Sequence, residues 1–420
     1  MRQAFSDRRV GPRGVALLVI PVIVIVYLLL AYAAYSVFTS RIPSGNDFYP
    51  RWKGTRALIL EGRDPYSDEV TLEIQKGMFG HPAGEHEDQV AFAYPLYVSL
   101  LVLPFSVFPY PQAQALWMSA LILLTLGTVI VILQTLDWRL SLAGFTTLSL
   151  WCVFFYPTAR SLLLGQLSLV VLGLLALALW ALQRGHPILA GFCLALSTVK
   201  PQMVFLVIPL LLLIALRRRD YRVVTAFLAM STILLLMSFL VLPTWLHSFV
   251  AGLRRYQVYT SIYREGKSPL GYLISYLAPS QVAFWFTVLV SLALIGYLAY
   301  VWTKAVVADG DTSQAVFLTL IVTLLVPAET GTTNQVLVIL PLIAWLFRER
   351  HRPWIATAAS GILLIVPWLL FLLTVQGDTE HPLMGLPLPL VAMAVLFWRS
   401  GEPDRQRQSA KSMRTASPPK

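Results

Sequence analysis

Residues 15–38 read VALLVIPVIVIVYLLLAYAAYSVF, an apolar run of 24 residues that contains no charged side chain. About 20 apolar residues are enough to cross the hydrocarbon core of a bilayer as a helix. The run is longer than the apolar core of a typical signal peptide and shows no small-residue cleavage site. We therefore interpret it as an uncleaved first membrane span.

Similar runs recur along the whole chain. Hydrophobic residues make up 57% of the 420 positions and charged residues only 13%, against about 25% charged in soluble proteins. The runs are continuous rather than alternating, which indicates helices and not a membrane barrel. The sequence predicts an all-α polytopic membrane protein with about 12 transmembrane helices. We place the spans near 15–38, 113–134, 141–158, 164–183, 187–199, 202–216, 221–243, 282–303, 314–327, 334–347, 353–375 and 383–398.

The distribution of basic residues predicts the orientation. A cytoplasmic amino terminus makes the short basic loops Arg217–Arg219 and Arg348–Arg352, and the tail from Arg399, cytoplasmic as well. The cytoplasmic segments then hold 20 Lys and Arg against 8 Asp and Glu, and the outer segments hold 12 against 13. This is the positive-inside rule. The net charge of +11 therefore indicates topology and not a nucleic-acid partner.

One apolar segment, 94–108, does not fit this count. If it crossed the membrane, every later loop would change sides and the arginine-rich loops would face outward. Pro95 and Pro104 within it, and Pro109 directly after it, also disfavour a regular span. We interpret it as a re-entrant or surface-lying element, which leaves both termini in the cytoplasm of a plasma-membrane protein.

This topology defines the domain organisation. A cytoplasmic amino terminus (1–14) precedes a single transmembrane domain (15–398), and a disordered cytoplasmic tail (399–420) follows it. The long outer loops are 39–112 and 244–281, whereas the cytoplasmic loops are too short for a nucleotide-binding domain. Cys152 and Cys193 lie inside apolar runs, so no disulfide framework is expected. Any chemistry is expected at the outer face.

Polar residues in apolar surroundings are the candidates for that chemistry. Asp47 follows the first span directly, in SGNDFYPRW (44–52), where the alternative role is to cap a short helix. Lys200 occupies the tip of an apolar hairpin, where the alternative is snorkelling to the interface. Arg160 and Gln166 flank Leu162–Gly165 near the outer face. Glu329, Asn334 and Gln335 lie at an outer turn, where they can equally be helix caps.

Three weaker patterns have simpler explanations. Asp309-Gly310-Asp311 has the spacing of a metal-bound nucleotide-sugar site, but it falls in a short cytoplasmic loop. The polar loop from His81 to Asp88 contains possible metal ligands, yet its glycine and proline favour a solvated face. The aromatic and cationic residues of 244–281 are also typical of an interfacial belt. No metal site is predicted.

Several short motifs occur along the chain in a specific order. They are Asn46-Asp47, Ala57-Leu58, Glu61-Gly62-Arg63-Asp64-Pro65-Tyr66, Ala93-Tyr94-Pro95 with Pro104 nine residues on, Gly165-Gln166, and Ala190-Gly191 leading into Lys200-Pro201. In this order they resemble glycosyltransferase family 87, the polyprenol-phosphate-mannose-dependent mannosyltransferases of the GT-C membrane superfamily. The resemblance runs from the first span to about residue 345. Asn334 and Gln335 stand where that family carries histidines, which leaves the sugar and the acceptor open.

The resemblance implies a membrane hexosyltransferase with a GT-C-type bundle. Such an enzyme moves a sugar, mannose or another hexose, from a polyprenyl phosphate to a lipid or glycan acceptor outside the cell, with inversion. Asp47 is then the expected general base, and Lys200 the expected phosphate contact, supported by Arg160 or a cation of 254–267. Gln166 and Tyr66 are candidates for holding sugar hydroxyls or positioning the loop. The remaining substrate-binding candidates are Arg51, Asn334, Gln335 and Glu329.

No cofactor is expected, because the sugar phosphodiester is already activated. The rival interpretation is a secondary transporter or lipid flippase, which would be expected to carry charged groups near the membrane midplane, often in repeated halves. The sequence shows no internal repeat, and its polar candidates gather at one face. A polymer ligase is a third possibility, but it would use a diphosphate-linked donor and a large outer loop late in the chain.

Overall fold

The computed structural model describes residues 12–41, 47–84, 87–259, 267–308, 310–328, 330–375 and 380–398, with side chains beginning at 19 and omitted for 255–259. The described residues form helices and short helical turns, with no strand. This agrees with the predicted helical class. They divide into two compact units, one from 1–201 and 221–266 and the other from 202–220 and 267–420. Asn46 and Glu329 lie outside the described residues.

The first unit combines long apolar helices with a segment of shorter ones at 47–108. Its helices are α1 (Pro12–Ala34), α2 (Phe48–Glu61), α3 (Asp68–Phe79), α4 (Val98–Ser106), α5 (Tyr110–Thr135), α6 (Leu142–Phe154), α7 (Tyr156–Leu163), α8 (Ser168–Gln183), α9 (Pro187–Ser197), α11 (Tyr221–Val241) and α12 (Trp245–Tyr259). The second unit contains α10 (Val207–Arg217), α13 (Pro269–Leu277), α14 (Ser280–Val307), α15 (Thr312–Leu325), α16 (Ile339–Arg348), α17 (Pro353–Thr374) and α18 (Pro387–Trp398).

Five helices of the described chain are long and apolar enough to cross a membrane, and the pair α6–α7 makes a sixth if it is counted as one span. The five segments are Val19–Thr39, Tyr110–Thr135, Tyr221–Val241, Ser280–Val307 and Pro353–Thr374. Shorter apolar helices cover most of the other predicted runs. The structure therefore supports a helical membrane protein, and the count of 12 crossings stays a prediction.

Two local features differ in how well they fit the predicted spans. The run predicted at 141–158 is bent by 64° between α6 and α7. The backbone is extended at Phe155, and Pro157 stands in the first turn of α7. Helix α4 within 94–108 has nine residues, about 14 Å, which is much shorter than a bilayer. That this segment does not cross the membrane stays a prediction.

The segment 47–108 of the first unit has its own apolar core. Ser67 caps the start of α3, and Gly62 ends α2 in the left-handed region at φ 65°, where a side chain would be strained. The loop between these helices carries Tyr66, which is buried with seven other residues of 57–96 and 245. That cluster consists of Ala57, Leu58, Tyr66, Val70, Ile74, Phe92, Leu96 and Trp245.

A close contact between α9 and α11 stabilises the first unit. At Gly191 on α9, a Cβ would lie 2.4 Å from the Val223 carbonyl of α11. Only glycine allows the two backbones to approach in this way. The approach fixes the carboxyl end of α9, and Lys200 follows that end by three residues.

The second unit carries the turn that contains Asn334 and Gln335. A 3₁₀ helix, Thr332–Val338, contains Asn334 and Gln335, and both are buried. Gln335 donates from Nε2 to the Met384 carbonyl at 3.0 Å, and Thr332 donates to the Glu380 carboxylate. These bonds join the turn to the segment that precedes α18.

Candidate functional site

Asp47 lies at the first residue before α2, in the position of a helix cap. Its side chain makes no capping hydrogen bond to the helix. Instead its Oδ2 accepts a hydrogen bond from Gln166 Nε2. Asp47 is half-buried. The alternative role as a helix cap is therefore not the one that its carboxylate takes here.

Gln166 joins Asp47 to Lys200. Its Nε2 donates to Asp47, and its Oε1 accepts from Lys200 Nζ at 3.0 Å. An amide can serve both groups because it carries a donor and an acceptor. Lys200 also donates to Ser168 Oγ at 2.8 Å. Three of the predicted site residues thus form one continuous polar chain, which we call the Asp47–Lys200 chain.

Lys200 is buried, with 6% of its surface exposed. It lies in the turn between α9 and α10 and does not extend toward water, which argues against snorkelling. Burial, and to a smaller extent the nearby Arg51 charge, lower the pKa of Lys200 to about 7, while Asp47 acts in the opposite direction. A buried ammonium with this pKa is easily recharged when an anion comes near.

Arg51 is held next to this chain. Its guanidinium is fully buried, and Nη1 donates to the Gly165 carbonyl at 2.7 Å. Trp117 Nε1 donates to the same carbonyl at 2.8 Å. Gly165 has φ +64°, and a Cβ there would meet Phe48 at 2.7 Å. Glycine is therefore required where the chain turns to present both the carbonyl and Gln166.

Two tyrosines support Arg51 from the other side. The guanidinium lies over the Tyr94 ring at 4.7 Å, within the range of a cation–π contact. Tyr66 donates from its hydroxyl to the Tyr94 carbonyl at 2.6 Å. Asp64 accepts from the Tyr66 backbone N–H at 2.8 Å. The predicted Asp64-Pro65-Tyr66 motif therefore braces the loop that carries Tyr94.

The arrangement places one carboxylate beside two buried cations. Such a set can accept a proton at Asp47 and stabilise negative charge at Lys200 and Arg51.

Comparison with known proteins supplies the class of enzyme. Residues 92–265 match the family model described as glycosyltransferase family 87. The match contains Tyr94, Gly165, Gln166 and Lys200, and it confirms the resemblance predicted from the sequence. No curated protein and no solved structure matches the chain.

The match to family 87 indicates a membrane glycosyltransferase, with a sugar donor and an acceptor. The apolar helices agree with a membrane location. Asp47, Arg51 and Tyr66 precede the matched segment, but their side chains contact residues within it. The donor, the sugar and the roles of these residues are matters of proposal.

The other predicted residues are less directly connected to the Asp47–Lys200 chain. Arg160 is half-buried on α7. The Tyr66 hydroxyl donates to the Tyr94 carbonyl, so in the structure it holds the loop that carries Tyr94. Asn334 and Gln335 belong to the second unit, where Gln335 bonds to the Met384 carbonyl. Their roles in binding a substrate stay predictions.

The loop 244–281 and the weaker motifs have ordinary explanations in their described parts. Trp245 is buried in the apolar cluster that also contains Tyr66, and Arg254 is exposed. Asp311 caps α15 by accepting from the Ser313 and Gln314 N–H groups. His81 and Glu87 lie 3.6 Å apart in their loop. Asp309, Glu85 and His86 lie outside the described residues, as do the side chains of 255–266.

Sequence reasoning missed two contributors. Ser168 follows Gln166 by two residues, and its spacing in the turn before α8 was the available signal. Trp117 lies 48 residues from Gly165, and no local pattern connects the two.

Proposed function

We propose that the protein transfers a hexose, mannose being the first candidate, from a polyprenyl phosphate to a lipid or glycan acceptor. The transfer takes place at the extracytoplasmic face of the plasma membrane, in a GT-C-type bundle of about 12 helices whose termini are cytoplasmic. The observation that carries this proposal is the Asp47–Lys200 chain, in which Gln166 contacts the acidic and the basic group.

The proposed reaction is a single inverting displacement. The Asp47 carboxylate takes the proton of the acceptor hydroxyl, and the hydroxyl oxygen forms a bond to the anomeric carbon of the sugar. The bond from that carbon to the phosphate oxygen breaks, and its electron pair stays on the departing polyprenyl phosphate. Lys200 stabilises the charge that grows on this phosphate. Gln166 orients both side chains.

The decisive experiment measures polyprenyl phosphate released by the purified protein from a set of polyprenyl-phosphate hexoses. Asp47→Asn keeps a hydrogen-bond acceptor for Gln166 but cannot take a proton. It should bind the donor normally and lose transfer by about 10²- to 10⁴-fold. Lys200→Ala should raise the Michaelis constant and lower turnover together, because the phosphate is contacted in the ground and transition states.

Two outcomes would contradict the proposal. Near-normal transfer by Asp47→Asn would exclude this carboxylate as the base. Movement of the lipid across a vesicle membrane, without cleavage of any sugar phosphate, would indicate a flippase instead.

A further inference from the structure

Arg51 has hydrogen-bonding capacity that the described protein does not use. Its Nη1 contacts the Gly165 carbonyl, but Nε and Nη2 are buried and have no hydrogen-bond partner among the described residues. Buried charged donors without partners are unfavourable because they lose water and gain nothing in return. A ligand that accepts two hydrogen bonds would relieve this.

The two unused nitrogens form one recognition edge. Nε and Nη2 lie on the same side of the planar guanidinium, and together they make the side-on fork that fits two oxygens of a phosphate or carboxylate. The bond from Nη1 to Gly165 uses the opposite edge and fixes the plane of the group. Arg51 is thus held in one orientation with its bidentate edge unused.

The local charge also favours an anion. Arg51 and Lys200 are both buried, and they are close enough for each to affect the other electrostatically. Asp47 supplies one negative charge beside these two cations. The described cluster therefore holds an excess positive charge when Lys200 is protonated, which an anionic ligand would neutralise.

We infer that Arg51 is the second cation that binds the phosphate of the donor, through the Nε–Nη2 edge and together with Lys200. The inference rests on the proposed function. It assigns to Arg51 the supporting contact with the phosphate for which the sequence offered Arg160 or a cation of 254–267. Arg254, in that range, is exposed. Neither the exposed Arg254 nor the half-buried Arg160 presents a fully buried guanidinium with two unused nitrogens, as Arg51 does.

Tyr94 and Tyr66 make the fork rigid. The Tyr94 ring supports the guanidinium at 4.7 Å, and the Tyr66 hydroxyl fixes the Tyr94 carbonyl at 2.6 Å. Tyr66 is therefore a positioning residue, which acts on the phosphate site through Tyr94 and Arg51. This gives the buried Tyr66 hydroxyl a purpose that does not require it to touch a substrate.

Binding of a short-chain prenyl phosphate to the purified full-length protein tests the inference without turnover. Dissociation constants come from the ligand-dependent rise in the unfolding midpoint. Inorganic phosphate and the matching prenyl alcohol are the other probes, and they separate recognition of the phosphate from recognition of the lipid. Arg51→Gln should weaken prenyl phosphate binding roughly 10- to 100-fold. Arg51→Lys keeps the charge but loses the fork, and it should bind with intermediate affinity.

Arg56 provides a matched control on the same helix. Its Nη1 donates to the Ser106 carbonyl at 2.7 Å, and its guanidinium lies over the Trp52 ring at 5.5 Å. Arg56→Gln removes a similar set of contacts, yet it should leave the affinity for prenyl phosphate unchanged. Prenyl alcohol binding should be the same in all three variants.

A milder pair of variants covers the case in which Arg51 variants do not fold. Tyr66→Phe should weaken prenyl phosphate binding several-fold by loosening Tyr94. Tyr27→Phe is its control, because Tyr27 also donates to a backbone carbonyl, that of Leu116 at 3.2 Å, in the same unit. Tyr27→Phe should bind prenyl phosphate like the wild type.

The outcomes separate this inference from the proposed function. Wild-type affinity in folded Arg51→Gln, or in Tyr66→Phe when the Arg51 variants do not fold, would overturn the assignment of Arg51 even if sugar transfer occurs. Loss of phosphate binding in Arg51→Gln, with no transfer from any donor, would keep the anion site and reject the transferase. Equal loss of binding for inorganic phosphate and prenyl phosphate would assign the site to the phosphate group alone.

Discussion

Lys200 is the residue whose charge depends most on its surroundings. Burial lowers its pKa to about 7, with Arg51 acting in the same direction and Asp47 against it. Without ligand, the ammonium is therefore charged below pH 7 and increasingly neutral above it. An anionic phosphate prefers the charged form, so its binding takes up a proton at higher pH.

We predict that the affinity for prenyl phosphate falls as pH rises from 7 to 9, by up to about tenfold per unit. Lys200→Arg keeps its charge over this range and should show a much flatter profile. The same titration on both proteins separates Lys200 from the ionisation of the phosphate itself. Parallel profiles for the two proteins would show that Lys200 does not change its charge on binding.

Gln166 and Ser168 allow a second prediction at the residue scale, because they share one partner but not the other. Gln166 contacts Asp47 and Lys200, whereas Ser168 contacts Lys200 at 2.8 Å. Gln166→Ala should lower both turnover and donor affinity, each by about 2- to 10-fold. Ser168→Ala should lower donor affinity and leave turnover nearly unchanged. Steady-state kinetics with the sugar donor that the enzyme uses would distinguish the two variants. A fall in turnover for Ser168→Ala would contradict the separate roles given to Gln166 and Ser168.

Asp47, Gln166 and Lys200 were predictable because each is a polar residue at the edge of an apolar run. Their contacts follow from the order of helices only once the chain has folded, since Asp47 and Gln166 are 119 positions apart. The fork of Arg51 was not predictable. Its value depends on which guanidinium nitrogens the Gly165 carbonyl leaves unused, and a sequence does not contain that geometry.

At the scale of elements, a group of charged residues fastens α2 to α3. Arg63 bonds to Glu61 and Glu73, and Lys53 lies 2.6 Å from Glu73. Hydrogen bonds from Arg63 and then Lys53 lower the pKa of Glu73 to about 2, from an ordinary value of 4.5. A lowered pKa means that Glu73 stabilises the folded protein above about pH 4.5 and loses this effect as pH falls toward 2.

Glu73→Gln should therefore lower the unfolding midpoint at pH 6, and the difference from the wild type should shrink as the pH approaches 3.5. Glu69→Gln is the comparison, because Glu69 is largely exposed and lies 3.5 Å from Arg63. An exposed pair of this kind contributes little. Thermal unfolding at several pH values measures both, and a difference for Glu73→Gln that does not depend on pH would contradict the assignment.

In the described part of the chain, helix α12 is joined to the loop between α2 and α3 by a hydrogen bond as well as by its apolar face. Ser248 donates to Asp64 Oδ2 at 3.0 Å, while Asp64 Oδ1 holds the Tyr66 backbone. Ser248→Ala should increase hydrogen exchange in α12 several-fold without affecting α3. Thr225→Ala, which removes a hydroxyl bonded within α11, serves as the control. Equal exchange in Ser248→Ala and wild type would show that apolar packing alone holds α12.

The bend between α6 and α7 shows what hydrophobicity leaves undetermined. The sequence predicts an apolar run at 141–158, and the residues there are indeed helical up to Phe154. Pro157 is visible in the sequence, but proline at the start of a helix is as compatible with a new helix as with a kink. Packing around the buried Phe155 and Tyr156 determines the direction of α7.

For the whole molecule, hydrophobicity predicted the helical class, and the count of 12 crossings stays a prediction. Helices α9 and α10 have 11 residues each, about 17 Å, which is shorter than a hydrocarbon core of about 30 Å. Such helices can enter the membrane as halves of a broken span or as re-entrant elements. Charge asymmetry is therefore the stronger argument for which loops face outward, because it concerns the loops directly.

Single cysteines in the loops test that argument. Residues 84, 219 and 382 are exposed, and Cys152 and Cys193 are buried, so the native background should be low. An impermeant thiol reagent added to intact cells should label Gly84→Cys and Pro382→Cys, and it should label Arg219→Cys only after permeabilisation. Labelling of both position 219 and position 84 from outside would mean that an even number of crossings separates them, instead of the odd number that the charges indicate. A crossing by segment 94–108 is one way to give an even number, but it would place Lys200 on the opposite side from Asp47, against their shared contacts with Gln166.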